Sequence, residues 1–390
     1  MFNLNEEEIK KHNAIHTTRE IHQQPEVWRA LMMDFFKTQE TFKDFLTSIY
    51  EKHDSVRVIM SGAGTSAFIG DTLVPALAKQ QQEKVQFESI PTTDIVSNPT
   101  EYLHKHTPTI LVSFARSGNS PESVATVQLG KELIDDFYQV VITCNKDGQL
   151  VKNIAGDENS ITLLTPAEAN DQSLAMTSSF STMILAAYAL FTAPSVTENV
   201  STHLIKNATY FIDELGDLVD DILTFDFERI VYLGSGSLAQ LSHEASLKML
   251  ELSGGKVVSL HESSLGFRHG PKSILNEQSV VVLFMSQDPY TRKYDMDILR
   301  ELSKANNGMK MIVLSEREET ELKELADWVI GVNVEEEKID EDFHLALLYI
   351  IFAQVLAMKK SIQLGITPDN PSDGTINRVV QGVTIYDYNA

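Results

Sequence analysis

One pattern constrains this chain before any other: an apolar run that stops at a glycine turn and passes into a helix, met twice at a fixed distance. Val56-Arg57-Val58-Ile59-Met60 ends at Ser61-Gly62-Ala63-Gly64-Thr65-Ser66, with a helix from Ala67. Arg229-Ile230-Val231-Tyr232-Leu233 ends at Gly234-Ser235-Gly236-Ser237, again with a helix beyond. Gly62 and Gly234 are 172 residues apart, and Val140-Val141-Ile142-Thr143 and Met311-Ile312-Val313-Leu314 are 171 apart. Thr109 to Phe114 is a further run in the first half, and Val280 to Met285 holds its place in the second. Continuous apolar strands alternating with helices predict parallel sheets covered on both faces. The constant spacing predicts a duplicated α/β domain.

The expected organisation is an N-terminal helical cap over 1–50, packed on the first copy, then a first domain over 51–197. A connecting helix from Ser201 to Leu223 leads to a second domain over 215–365 and a tail over 366–390. In the cap, Asn13 to Trp28 and Ala30 to Tyr50 carry apolar residues at helical spacing. No stretch is expected to approach the roughly 20 apolar residues needed to cross a membrane, and the acidic start Met1-Phe2-Asn3-Leu4-Asn5-Glu6-Glu7-Glu8 is expected not to be a signal peptide. Cys144 is the single cysteine, which leaves no internal disulfide or cysteine-built zinc site and fits a reducing cytoplasm. A net charge of −23 disfavours nucleic acid as a partner. An anionic small molecule would have to be held by local amide dipoles and a few placed cations.

The two copies differ where an anion would bind. Ligands of an open parallel sheet sit beyond the carboxyl ends of its strands, where helix N-termini offer N–H groups. In the first copy Gly62 and Gly64 permit close backbone approach, and Thr65 and Ser66 add hydroxyls. After the next strand come Ala115-Arg116-Ser117-Gly118-Asn119-Ser120-Pro121-Glu122-Ser123, with two hydroxyls, a cation and a proline suited to a first helical turn. The second copy has Ser286-Gln287-Asp288-Pro289-Tyr290, whose carboxylate would repel phosphate. Only the first copy is expected to hold the anion. A dinucleotide is disfavoured, because the third glycine of Gly-x-Gly-x-x-Gly and a Walker-type Lys-Ser/Thr ending are both missing.

Gly64-Thr65-Ser66, Arg116 to Ser123 and His269-Gly270-Pro271 resemble the sugar isomerase (SIS) domain family, and the tandem arrangement resembles the isomerase half of glucosamine-6-phosphate synthase. Thr18 to Trp28, Leu265-Gly266-Phe267-Arg268-His269-Gly270-Pro271-Lys272 and Asn377 to Thr384 are similar to one branch, described as galactosamine-6-phosphate deaminase/isomerase or tagatose-6-phosphate ketose/aldose isomerase. The fold implied is a pair of flavodoxin-like α/β/α sandwiches, with the tail over the active site. The resemblance implies that Thr65, Ser66, Ser117 and Ser120 hold a phosphate. Ala115 stands where the family pattern has a serine, with Arg116 placed to compensate. Thr177 matches a segment lining the sugar pocket.

The helix expected over Gly236 to Ser253 carries Glu244, Lys248 and Glu251 on one face, which reads either as a solvated charge stripe or as a catalytic group. The resemblance assigns Glu251 as general base, the carboxylate that moves a proton between C2 and C1. A lone histidine such as His269 is more often structural. The resemblance makes it the ring-opening proton shuttle, entering from a neighbouring subunit, so that a homodimer is implied. His261 and Glu262 stand between structure and substrate contact. Gln381 occupies the place of a lysine in the synthase, so no lysine Schiff base is expected there. The synthase's N-terminal cysteine has no counterpart in Met1-Phe2, so ammonia is not expected to come from glutamine. No metal, nucleotide or flavin is expected. The implied reaction takes D-galactosamine 6-phosphate to the ketose phosphate plus ammonia. A non-deaminating isomerase and a non-catalytic sugar-phosphate sensor remain as alternatives.

Overall fold

The strands run parallel in two five-stranded sheets, and their order follows from which runs are apolar throughout. In the computed structural model the described residues are 1–390 without 81–83, 193–197, 306–307, 373, 379–381 and 389–390. Strands β1 (Val56–Ser61), β2 (Val85–Ser89), β3 (Thr109–Ala115), β4 (Phe137–Thr143) and β5 (Ser160–Leu164) form one sheet in the order β2-β1-β3-β4-β5. Strands β6 (Arg229–Gly234), β7 (Val258–Ser263), β8 (Ser279–Phe284), β9 (Lys310–Ser315) and β10 (Trp328–Gly331) form the other as β7-β6-β8-β9-β10. The second order is the first with the numbering advanced by one repeat, the flavodoxin-like arrangement. The central strands β1, β3 and β8 are buried along their whole length. Edge strands β2 and β7 are partly exposed.

Helices α1 (Glu6–Lys11), α2 (Ile15–His22) and α3 (Gln24–Lys52) precede the first sheet. The two expected helical stretches are thus redistributed: the second begins at Gln24, with Pro25 tolerated in its first turn. Asn5 and Glu8 close a reciprocal capping box on α1. The chain divides into two compact units that do not follow the linear boundaries. The first-sheet unit comprises Glu26–Asp171, Met176–Ser201 and Gly374–Ala390; the second-sheet unit comprises Met1–Pro25, Gln172–Ala175 and Thr202–Asp373. Residues 1–25 therefore belong with the second sheet, and the tail from 374 belongs with the first.

In the first-sheet unit α4 (Thr65–Ala78), α5 (Thr92–Ser97), α6 (Pro121–Leu133) and α7 (Ser178–Thr192) cover the sheet, and α8 (Glu198–Ile222) runs on into the other unit. In the second-sheet unit α9 (Ser237–Leu252), α10 (Thr291–Ser303) and α11 (Asp342–Gln363) do so. Alternate residues Val231, Leu233, Val281, Leu283, Met311 and Val313 meet Ile298 and Leu299 of α10 in one core layer. Helix α11 corrects one expectation. Its 22 residues are long and apolar enough to cross a bilayer, yet 94% of its most apolar stretch is buried. A helix apolar all round is what a position between a sheet and other helices requires.

Candidate active site

Both glycine turns have one shape. Gly64 has φ +55° and ψ −131°, and Gly236 has φ +57° and ψ −128°. A Cβ on Gly62 would lie 2.5 Å from the Ser66 backbone, and one on Gly234 would lie 2.6 Å from that of Leu238. Each strand thus enters its helix so tightly that only glycine fits. β1 pairs with β3 (Ser61 opposite Ser113), so their carboxyl ends leave side by side, about 4.8 Å apart as neighbouring strands are.

The second loop of the first copy is braced rather than loose. Asn145 Nδ2 donates to the Ser117 carbonyl at 2.7 Å, the Gln149 amide donates to Asn119 Oδ1 at 2.9 Å, and the Leu150 amide donates to the Gly118 carbonyl at 3.1 Å. Ser117 Oγ accepts from the Asn119 amide at 3.2 Å, leaving its own proton to donate. Ser120 occupies the N-cap of α6, but its hydroxyl makes no capping bond. Both serines are half-buried, and Thr65 and Ser66 are buried at 5% and 6% exposure.

Arg116 and Thr177 have other engagements. Arg116 Nη2 donates to the carbonyl of Arg378 at 2.8 Å. Thr177 is fully buried and its hydroxyl donates to Asp171 Oδ1 at 3.3 Å. The Asp171 carboxylate also accepts the amides of Thr177, Ser178 and Ser179, closing the N-terminus of α7. Thr177 therefore helps hold a turn, its hydroxyl on Asp171. Cys144 is buried, and burial pushes its thiol up to about 12, far from nucleophile range.

The corresponding ground in the second copy is occupied by the chain itself. Asp295, fully buried, accepts from Ser235 Oγ and Ser264 Oγ at 2.6 Å each and from the Ser286 amide at 3.1 Å. Asp342 takes Ser286 Oγ at 2.6 Å and the Gln287 amide at 2.7 Å. Burial raises the Asp295 pKa more than those bonds lower it. Asp288, expected to repel phosphate, instead caps α10 through the Tyr290 and Thr291 amides at 3.0 and 2.9 Å. The copies thus differ in donors that Asp295 and Asp342 fill, with Asp288 engaged by the α10 amides.

On α9, Lys248 Nζ lies 2.7 Å from Glu251 Oε2 and 3.3 Å from Glu244 Oε1. The Glu244 and Lys248 side chains have no exposure, and that of Glu251 keeps 19%. The solvated-stripe alternative is corrected: this face is interior, and only its last carboxylate reaches out. Burial alone would lower the Lys248 pKa, but attraction to Glu244 and Glu251 outweighs it and holds the ammonium above the ordinary lysine value. A cation so fixed orients the Glu251 carboxylate and leaves one oxygen directed elsewhere.

His269 is exposed at the end of a short 3-10 turn, Gly266–Arg268. The loop beneath it is stiff. Phe267 is fully buried in the core layer, worth about 1.5–3 kcal/mol for such a side chain. Arg268 pairs with Glu301 Oε2 at 2.6 Å and Asp297 at 2.9 Å, and Lys272 pairs with Glu301. His261, on β7, stacks on His243 of α9 with centroids 3.8 Å apart and planes 14° apart. Burial lowers both, His243 to about 4. His261 thereby reads as half of a packed pair. Glu262 accepts from the Ser263 amide at 2.7 Å. Gln381 lies outside the described residues. Among the described residues no group of three or more His, Cys, Asp or Glu could hold a metal ion.

Sequence reasoning missed Asp171, Arg378, Asp295, Asp342 and His243. Arg378 lay in a motif singled out above; the others left no signal.

Comparison with known proteins adds to this geometry. A model described as the SIS domain matches residues 51–193 and 225–362. A protein of Shewanella sp. (strain ANA-3), named D-galactosamine-6-phosphate deaminase AgaS, is 41% identical over 389 residues, covering 99% of this chain and 95% of its own. A protein of the same name from Escherichia coli is 39% identical over 376 residues, 96% of each chain. The crystal structure of tagatose-6-phosphate ketose/aldose isomerase from Escherichia coli matches with a TM-score of 0.88 and 36% identity, covering 96% of this chain and 97% of that one.

Proposed function

The chain belongs to the SIS domain family, and from that premise we propose that it is a deaminating isomerase converting D-galactosamine 6-phosphate to D-tagatose 6-phosphate and ammonia. The observation that carries the proposal is Glu251, a carboxylate fixed by a buried lysine and open on its outer side. A merely solvated helix face has no reason to bury Glu244 and Lys248. The relatives named as deaminases match over nearly the whole length, which supports the choice of substrate.

In this reading the Gly64, Thr65, Ser66, Ser117 and Ser120 loops receive the phosphate, with Arg116 supplying positive charge beside them. His269 moves a proton between O1 and O5 to open the pyranose. Glu251 takes the C2 proton as O1 gains one, giving an enolamine, and returns it to C1 as the nitrogen gives one up, giving a C2 imine. Water adds to the imine, and ammonia leaves as the C2 carbonyl forms. The exposed His269 on a stiff loop supports its service to a second copy, so that the enzyme works as a cytoplasmic homodimer. The likeness to the Escherichia coli ketose/aldose isomerase favours a second reading, in which the same proton transfer runs on a sugar without nitrogen. Assaying ammonia and ketose release from a panel of C2-amino and C2-hydroxy hexose 6-phosphates tests both. Turnover confined to the hydroxy sugars sinks the deaminase.

A further inference from the structure

Glu122 stands apart from the other acids at helix starts. It sits in the first turn of α6, where a negative charge suits the helix N-terminus, yet it is only 9% exposed. Glu6, Glu7 and Glu8 serve α1 in the same way while exposed to solvent, so the helix alone gives no reason for burial. Among the described residues Glu122 Oε2 is sealed from solvent and accepts no hydrogen bond. The hydroxyls around it are spent elsewhere. Thr126 Oγ1 donates to the Glu122 backbone carbonyl at 2.8 Å. On α5, Thr93 Oγ1 donates to Asp94 Oδ1 at 3.4 Å and Ser97 Oγ to the Asp94 carbonyl at 3.2 Å. A buried carboxylate without a partner is costly, and a cation that reaches it removes that cost.

The same residue lines a groove of about 900 Å³ that lies wholly within the first-sheet unit, a size usual for a small-molecule site. Val96 of α5 and Pro99 beyond it form one wall, Ala125 and Leu129 of α6 another, and the exposed Tyr386 and Tyr388 stand on a third. The other charged residues of the described lining are Glu132 and Asp387, and it contains no Lys, Arg or His. Such a lining repels a sugar phosphate. Nor do its carboxylates gather around one point as a metal ion requires, since no group of three suited to a metal occurs among the described residues. A buried carboxylate between apolar walls, with tyrosine rings beside it, is matched by an ammonium carried on an apolar body. We propose that the groove between α5 and α6 is a second small-molecule site, which takes a primary organic ammonium ion. Its charge meets Glu122, and its apolar part lies along Val96, Ala125 and Leu129. This site is separate from the serine loops and does not depend on the reaction proposed above.

The test titrates the full chain by calorimetry with butylamine, phenethylamine and tryptamine, and with 2-phenylethanol and phenylacetate as neutral and anionic counterparts of the second. Phenethylamine binds and slows amide hydrogen exchange over α5 and α6, 2-phenylethanol binds at least tenfold more weakly, and phenylacetate does not bind. Glu122→Gln weakens phenethylamine about ten- to a hundredfold, as loss of a hydrogen bond to a charged group does. Chance attraction to a chain with 55 acidic residues is blind to the loss of one, so this variant separates a site from a field. Val96→Trp fills the groove without changing its charge and also weakens binding, which keeps the test open should Glu122→Gln fail to fold. The proposal is overturned if none of the three amines binds, if 2-phenylethanol binds as tightly as phenethylamine, or if either folded variant binds phenethylamine as tightly as the wild type.

Discussion

Lys248→Met puts the buried charge cluster of α9 to its hardest test. At an effective dielectric near 20, charges 3.3 Å apart attract by about 5 kcal/mol, a gross figure that desolvation of the lysine largely offsets. What matters is the state left behind. Glu244 has no exposure, so removing its cation strands a carboxylate in the interior, which costs about 3–5 kcal/mol. That carboxylate then escapes by taking up a proton. Its folded pKa rises above its unfolded one, so the variant regains stability as pH falls, at about 1.4 kcal/mol per unit while only the folded form is protonated. The wild type runs the other way. Lys248 is raised in the fold, so its contribution is complete below the unfolded value of 10.5 and is lost as pH climbs through the higher folded value. Guanidinium denaturation of both proteins at pH 5, 7 and 9 reads the difference. Adding Glu244→Gln to Lys248→Met should restore most of the loss, because no buried charge then lacks a partner. A single variant within about 1 kcal/mol of wild type at pH 7 with no pH slope would refute the reasoning, since that is the ceiling for an exposed pair.

Other outcomes follow from the same geometry. Ser117→Ala with Ser120→Ala should raise KM for the sugar phosphate by about 1–3 kcal/mol per lost bond, whereas Ser286→Ala, whose hydroxyl serves Asp342, should leave KM alone. Glu251→Gln should lose about 10²–10⁴ in kcat and abolish solvent deuterium exchange at C2, while His269→Asn should keep that exchange with an open-chain analogue. Undiminished exchange in Glu251→Gln removes it from the reaction. Co-folding Glu251→Gln with His269→Asn should return part of the activity, because a mixed dimer rebuilds one complete site; inactive heterodimers would place His269 within its own subunit.

The central strands were legible because burial on both faces leaves its mark as a near-continuous apolar run: Val56 to Met60, interrupted only by Arg57, and Val280 to Phe284 are buried throughout. The edge strands were not. Val85-Gln86-Phe87-Glu88-Ser89 and Val258-Ser259-Leu260-His261-Glu262-Ser263 face solvent in part and mix polar with apolar residues, so nothing separates them from loop. The serine loops could be read because glycine and hydroxyl residues are local signals. Asp295 and Asp342 reach their serines across 60 and 56 residues, a relation that only the folded topology creates. Likewise the charge stripe of α9 has the same spacing whether wet or dry. Its burial depends on what packs over it.

The filled turn of the second copy has a thermodynamic meaning of its own. Ser235, Ser264 and Ser286 receive a carboxyl group that is covalently part of the chain, so their occupancy cannot be diluted away. A ligand tethered in this way competes as though present at millimolar concentration or above, and a free phosphate at lower concentration cannot displace it. On the proposed phosphate site, the first copy depends instead on what the solution offers. Its loops would gain RT ln(1 + [L]/Kd) on binding, about 2.7 kcal/mol at a hundredfold excess over Kd. Two turns of one shape would then stand under opposite control: one is always full, and the other would report the concentration of its ligand as local stability.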